Sequence, residues 1–221
     1  MRLAFFVVMF AGLSPLLAQE SKQNQFPPSH FDRGVELYRE GRFNAAVAQF
    51  RSYLNLMPYG DQRAEAEYYY SISKLKAGHS DGVPSLQQFL DQNPGSLKTT
   101  EANLALGDFY YLKSKYPSAL RYYKNVEEKS IDKELRAQFS YRKGFCLVNG
   151  KKYKEAVEVL KTVADAPGEY RDLGSYYYGY ACLMMGDYPQ AVTAFERIRD
   201  NGYDNVRFYL AQVHYQMNNY D

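Results

Sequence analysis

Apolar residues recur along most of this chain at helical spacing, three and four residues apart, and strict alternation is absent. The stretch from Gly179 to Phe195 carries the pattern in its fullest form, as two amphipathic helices joined by a sharp turn. Gly186 can adopt the left-handed conformation that ends a helix without a Cβ clash. Asp187 then caps the next helix, and Pro189 fits its first turn, where a missing N–H costs little. Ala191 is small where two helices must cross, and Phe195, one turn on, points to the same face. Extended along the chain, the pattern predicts helices near residues 30–40, 43–56, 63–77, 82–92, 98–113, 116–128, 132–149, 152–165, 170–185, 188–199 and 204–218. The predicted class is all-α, with no sheet.

A unit of about 35 residues repeats from Phe31 onward, the period of helical arrays. Gly34, Gly107, Gly144 and Gly179 each precede an alanine (Ala46, Ala119, Ala156, Ala191) by the same twelve residues. Beyond the alanine comes a bulky residue: Phe50, Tyr123, Leu160 or Phe195. The second unit, Arg63 to Pro94, departs from the scheme. Tyr68-Tyr69-Tyr70 brings bulk where a small residue is expected, and Gly82 stands in the alanine position. Its closing Leu86, Phe89 and Pro94 keep register with Phe50, Tyr53 and Pro58, so it reads as a degenerate repeat with an adjusted helix crossing. The interior glycines cost helix propensity, roughly 1 kcal/mol each, and are tolerable where they allow a close approach.

These features resemble the tetratricopeptide-repeat family, with a small residue inside the first helix, Gly-Asp-Tyr at the turn, and Ala then Phe in the second helix. The resemblance covers residues 30–221 and departs at the first aromatic position, where the family usually has Trp and this chain has Asn103, Ser140 and Ser175. It implies a right-handed solenoid of antiparallel helix pairs whose concave face, lined by the first helices, binds peptides or protein segments. About five and a half repeats fit. Asn219-Tyr220-Asp221 corresponds to Asp187-Tyr188-Pro189, so the array is expected to break off in a sixth repeat and to continue in a longer protein.

Composition changes this picture little. The formal net charge is +2, so no electrostatic footprint for nucleic acid is present, and binding is expected to depend only weakly on salt. The N-terminus is a different material. Arg2, an apolar run from Leu3 to Leu13 broken only by Gly12, and Leu16-Leu17-Ala18 have the layout of a signal peptide over residues 1–18. That run is too short to span a bilayer. Residues 19–29, with Gln, Ser, Asn and Pro27-Pro28, read as a disordered leader. The expected destination is therefore the periplasm or cell envelope. No transmembrane segment is expected in the mature chain, and any membrane association would run through a partner.

Candidate chemistry is sparse. His30, His79 and His214 have no second ligand at metal spacing, and no nucleophile context, phosphate loop or cofactor motif stands out. No enzyme activity, metal or cofactor is expected. Cys146 and Cys182 lie in apolar helical runs and read as unbonded core residues. What remains is a surface. The family resemblance, carried over position by position, puts Tyr111, Tyr141, Phe145, Tyr176, Tyr180, Met184 and Tyr215 on the concave face. An aromatic stripe at helical spacing also serves as ordinary inter-repeat core, so both readings stand at this point. The leading functional expectation is an exported scaffold for a protein or peptide partner in cell-envelope assembly. The alternatives are the N-terminal repeat module of a larger envelope enzyme, or a cell-wall glycan binder using exposed tyrosines as stacking platforms.

Overall fold

The computed structural model describes residues 29–217. The expected signal peptide, the leader up to residue 28 and Asn219-Tyr220-Asp221 lie outside the described residues. Among the described residues eleven α-helices follow in order: α1 (His30–Arg39), α2 (Phe43–Leu56), α3 (Arg63–Lys76), α4 (Gly82–Gln92), α5 (Thr99–Leu112), α6 (Tyr116–Tyr123), α7 (Lys133–Asn149), α8 (Tyr153–Asp165), α9 (Arg171–Met185), α10 (Tyr188–Glu196) and α11 (Val206–Gln216). A 3-10 turn, Glu128–Ser130, joins α6 to α7, and no strand occurs among the described residues.

The turn between α9 and α10 forms as its residues dictate. Gly186 sits at φ 78°, in the left-handed region. The Asp187 carboxylate accepts from the Gln190 N–H, and Pro189 occupies the first turn of α10. Inside each regular repeat a single knob-and-hole contact fixes the helix pair. A Cβ placed on Gly34, Gly107, Gly144 or Gly179 would lie within 2.4–2.9 Å of the side chain of Phe50, Tyr123, Leu160 or Phe195 respectively. The glycine thus makes room for the bulky side chain sixteen residues on, one turn beyond the alanine. Those alanines, Ala46, Ala119, Ala156 and Ala191, are completely buried. The second repeat inverts the arrangement: Gly82 of α4 lies against the backbone of Lys74 and Leu75, so the small residue has moved to the second helix.

Successive helices pack against one another all along the described residues, so each even-numbered helix is held between two odd-numbered ones. Consecutive odd helices also touch: α1 with α3, then α5, α7, α9 and α11 in turn. Consecutive even helices make no comparable contact. An array whose first helices meet while its second helices splay must curve with the first helices inside, and that inner face is where the candidate residues were expected.

Two helices end earlier than periodicity predicts. The run over 116–128 stops at Tyr123 because the chain turns to bury Val126 and Ile131. Arg136 holds this connection by donating to the carbonyls of Ile131 (2.9 Å) and Lys129 (3.1 Å). The longer connection absorbs an uneven repeat, since 37 residues separate Gly107 from Gly144 but 35 separate Gly144 from Gly179. The run over 188–199 stops at Glu196, and Arg197 turns back to donate to the Ala164 carbonyl at 2.6 Å.

Candidate binding face

On the inner face of α5, α7 and α9 the aromatic rings meet across helix boundaries. Phe145 of α7 is their hub, with its ring centroid 5.7 Å from Tyr111, 5.0 Å from Tyr116 and 4.9 Å from Tyr177, all edge-to-face. Edge-to-face rings align a positive edge with a negative face, worth about 0.5–1.5 kcal/mol per pair beyond area burial. A second group forms one repeat on. Tyr180 lies 5.6 Å from Tyr209 and 6.3 Å from Tyr153, while Tyr176 stacks on Tyr203 at 5.5 Å. Between the two groups opens a cleft of about 400 Å³, lined by Phe145, Val148, Tyr153, Tyr176, Tyr177, Tyr180 and Tyr209 with Asn149 and Lys151 at its polar side.

Of the residues expected on this face, Phe145, Tyr176 and Tyr180 line the cleft, and Tyr111 abuts it through Phe145. Tyr141 has a different position. It is only 8% exposed, packed against Tyr170 (5.4 Å) and Tyr177 (6.1 Å), so it props the face from beneath instead of presenting itself. Its periodicity matches that of Phe145 because both lie on one stripe of α7; the ring of Tyr170, arriving from the α8–α9 connection, covers one and not the other. Met184 and Tyr215 are 40% and 64% exposed and lie outside the cleft lining.

Sequence reasoning passed over Tyr177, Tyr209, Tyr116 and Tyr153. For the last two a signal existed. An aromatic recurs nine residues after each interior glycine, as Phe43, Tyr116, Tyr153 and Tyr188. It opens the second helix and folds back over the inner face: Phe43 onto Tyr38 at 5.7 Å, Tyr116 onto Tyr111 at 5.9 Å, and Tyr153 onto Tyr180. The face therefore belongs to both helices of the pair in the first, third and fourth repeats.

A polar node anchors one end of this face. Tyr123 fills the slot occupied by Phe or Leu in other repeats, and its hydroxyl donates to the Asp108 carboxylate at 2.6 Å. Asp108 also pairs with Arg142 at 2.8 Å, and that guanidinium lies 5.3 Å from the Tyr111 ring centre. Burial, then the Asp108 charge, drives the Tyr123 phenol well above its ordinary range. Burial also pushes Tyr177 up to about 12, so its hydroxyl stays protonated in neutral solution.

The other candidate groups are structural. Cys146 and Cys182 are buried and unbonded, with burial pushing their thiols up to about 12 and about 11. His30 bonds Gln49 at 2.8 Å and His79 bonds Asn44 at 2.7 Å, each tying a first helix or its turn to α2. Among the described residues no helix is long and apolar enough to cross a membrane.

Residues 176–221 match the tetratricopeptide repeat family model. The fold is a tetratricopeptide-like helical-repeat solenoid. The solved structure of MamA AMB-1 is similar over 79% of this chain and 92% of its own, at 21% identity and a TM-score of 0.59. That of MamA MSR-1 covers 77% and 93% at 21% identity, with a TM-score of 0.55. A tetratricopeptide repeat protein from Parabacteroides merdae ATCC 43184 covers 86% and 73% at 12% identity, with a TM-score of 0.57. At these identities the likeness is one of fold. No curated protein matches the chain.

Proposed function

We propose that this tetratricopeptide array is a scaffold that holds an extended segment of a partner protein along the inner face of its third to fifth repeats. The observation that carries the reading is the open cleft between α7, α9 and α11, walled by aromatic rings that stay partly exposed. Large rigid rings with a polar tip give contact area at low entropy cost, as binding surfaces require. The role is binding and not catalysis. The N-terminal sequence supports export, which places the partner in the periplasm or cell envelope and is consistent with a part in envelope assembly. A photo-reactive amino acid at position 180, inside the cleft, should crosslink a discrete partner in intact cells. The same group at position 158, on the exposed side of α8, should not. Equal adducts from both positions would overturn the reading.

Retention of the chain in the cytosol after fusion to a periplasm-dependent reporter would overturn the export part alone. The glycan alternative rests on the same half-exposed tyrosines. It requires that soluble cell-wall saccharide displace the crosslink at position 180.

A further inference from the structure

The near-neutral charge of the whole chain conceals an uneven inner face. No carboxylate lines the aromatic cleft, and Lys151 stands at its edge. One repeat earlier, Lys113 and Lys115 flank the turn between Tyr111 and Tyr116, whose rings continue the same surface. All three lysines are exposed, and none has an ion-pair partner among the described residues. Nearby carboxylates are already engaged. Asp108 is held by Arg142 and Tyr123, Glu155 by Lys124 and Lys152, and Asp187 by the end of α10. At the other end of the inner face Asp32, Glu36, Glu40 and Glu65 line the cleft between α1 and α3, with Arg39 as its basic residue; Glu36 pairs with Arg33 and Glu40 with Arg42, which leaves Asp32 and Glu65 without an ion pair among the described residues.

Lys151 has a further peculiarity. It sits at φ 56°, in the left-handed conformation that the equivalent Gly186 and Gly41 adopt freely. A lysine there is held against the backbone preference of a residue with a Cβ. The turn thereby roots the lysine at the edge of the cleft, beside the rings.

Resting on the scaffold reading above, we propose that the cleft accepts an acidic segment of another protein which inserts an aromatic or large aliphatic side chain among Phe145, Tyr177 and Tyr180. The flanking Asp or Glu residues of that segment face Lys113, Lys115 and Lys151. The ring contacts supply the anchor, and the lysines select for negative charge and speed encounter, as rim charges do. Asp32 and Glu65 at the α1–α3 cleft disfavour the same segment there, which favours the third to fifth repeats.

The test uses the chain without residues 1–18 and three labelled synthetic peptides, in which Phe alternates with Asp, with Ser or with Lys. Fluorescence anisotropy should show the Phe/Asp peptide binding about tenfold more tightly than Phe/Ser, the equivalent of about 1.4 kcal/mol, with Phe/Lys weakest. The weak salt dependence expected from the net charge should hold for Phe/Ser, whereas for Phe/Asp raising NaCl to about 0.5 M should erase the advantage, since the Debye length then falls to a few ångströms. The variant Lys113→Gln, Lys115→Gln, Lys151→Asn should bind Phe/Asp and Phe/Ser alike while keeping its thermal melt. Asn tolerates the left-handed position. Tyr180→Ala should weaken both peptides together. Equal binding of Phe/Asp and Phe/Ser by the unaltered chain would overturn the charge preference and leave the scaffold reading intact. Failure of all three peptides to bind would overturn both. Self-association that the lysine variant abolishes would replace the foreign segment with a second copy of the chain.

Discussion

Single residues in this array are judged by the hole or turn they must fit. Ser114 and Lys151 adopt the left-handed conformation at a turn where other repeats use glycine. Ser114→Gly should relieve that strain, partly offset by the greater freedom of glycine in the unfolded chain. The expected net gain is up to about 1 kcal/mol in urea denaturation, against a loss of about 1 kcal/mol for the reverse change, Gly186→Ser. A loss on Ser114→Gly would show that the serine side chain holds the turn. Ser175 makes a second case. It stands where the family usually has Trp, is fully buried, and its hydroxyl has no hydrogen-bond partner among the described residues. Ser175→Ala deletes one desolvated oxygen and should be neutral or stabilising by up to about 1 kcal/mol. A marked loss would mean that the hydroxyl is engaged in solution.

At the scale of elements, the helix pair depends on the glycine-to-ring contact and on the alanine one turn before the ring. Ala191 and Phe195 are both completely buried between α9 and its neighbours. Ala191→Leu should therefore cost about 1–3 kcal/mol through overpacking, whereas Gln190→Glu, at an exposed position where a carboxylate can still accept from the Tyr178 hydroxyl, should stay within about 0.5 kcal/mol. Equal melting temperatures for these two variants would count against the assigned register. The second repeat shows how the same geometry survives a different sequence. Tyr70 removes the hole in α3, and Gly82 restores close packing from the other side by letting α4 reach the α3 backbone. Lys74, buried in that crossing, is held by Asp81 and by Ser85 at 2.9 Å, and lies 4.9 Å from the Tyr70 ring centre. The polar head is satisfied, so the lysine can fill a core position.

Over the whole molecule the core forms as three linked clusters: one under α1–α3, one under α3–α5 with Tyr122, and the largest running from α6 to α11. Stability in such an array comes from neighbour interfaces, and tyrosine supplies many of them. Tyr68, Tyr123 and Tyr141 are all held above the ordinary value of 10.0, chiefly by burial. Raised phenols contribute stability that is complete below the unfolded value near pH 10. It is lost as pH climbs from there toward the folded values, because the unfolded chain releases protons that the folded chain retains. The array should therefore unfold cooperatively in alkali. Tyrosinate absorbance and loss of helical circular dichroism should rise and fall together above pH 10. Full tyrosine ionisation before any helix loss would show these phenols to be open to solvent.

The sequence by itself determined the class of fold, the repeat length, nearly every helix and the geometry of the turns. These follow from local causes: helical periodicity, the caps at Gly186 and Asp187, and a glycine spaced against its alanine. It also picked out the inner stripe that holds Phe145, Tyr176 and Tyr180. What only the tertiary structure decided is which aromatics on that stripe are floor and which are wall. Tyr141 and Phe145 are equivalent in helical phase, and Tyr170, 25 or more residues away in the chain, buries the first and spares the second. The early end of α6 was equally hidden, because it depends on where Val126 and Ile131 find core. The same holds for charge: a balanced composition fixes the total, while the separation of lysines at one end of the inner face from carboxylates at the other arises only when the repeats stack.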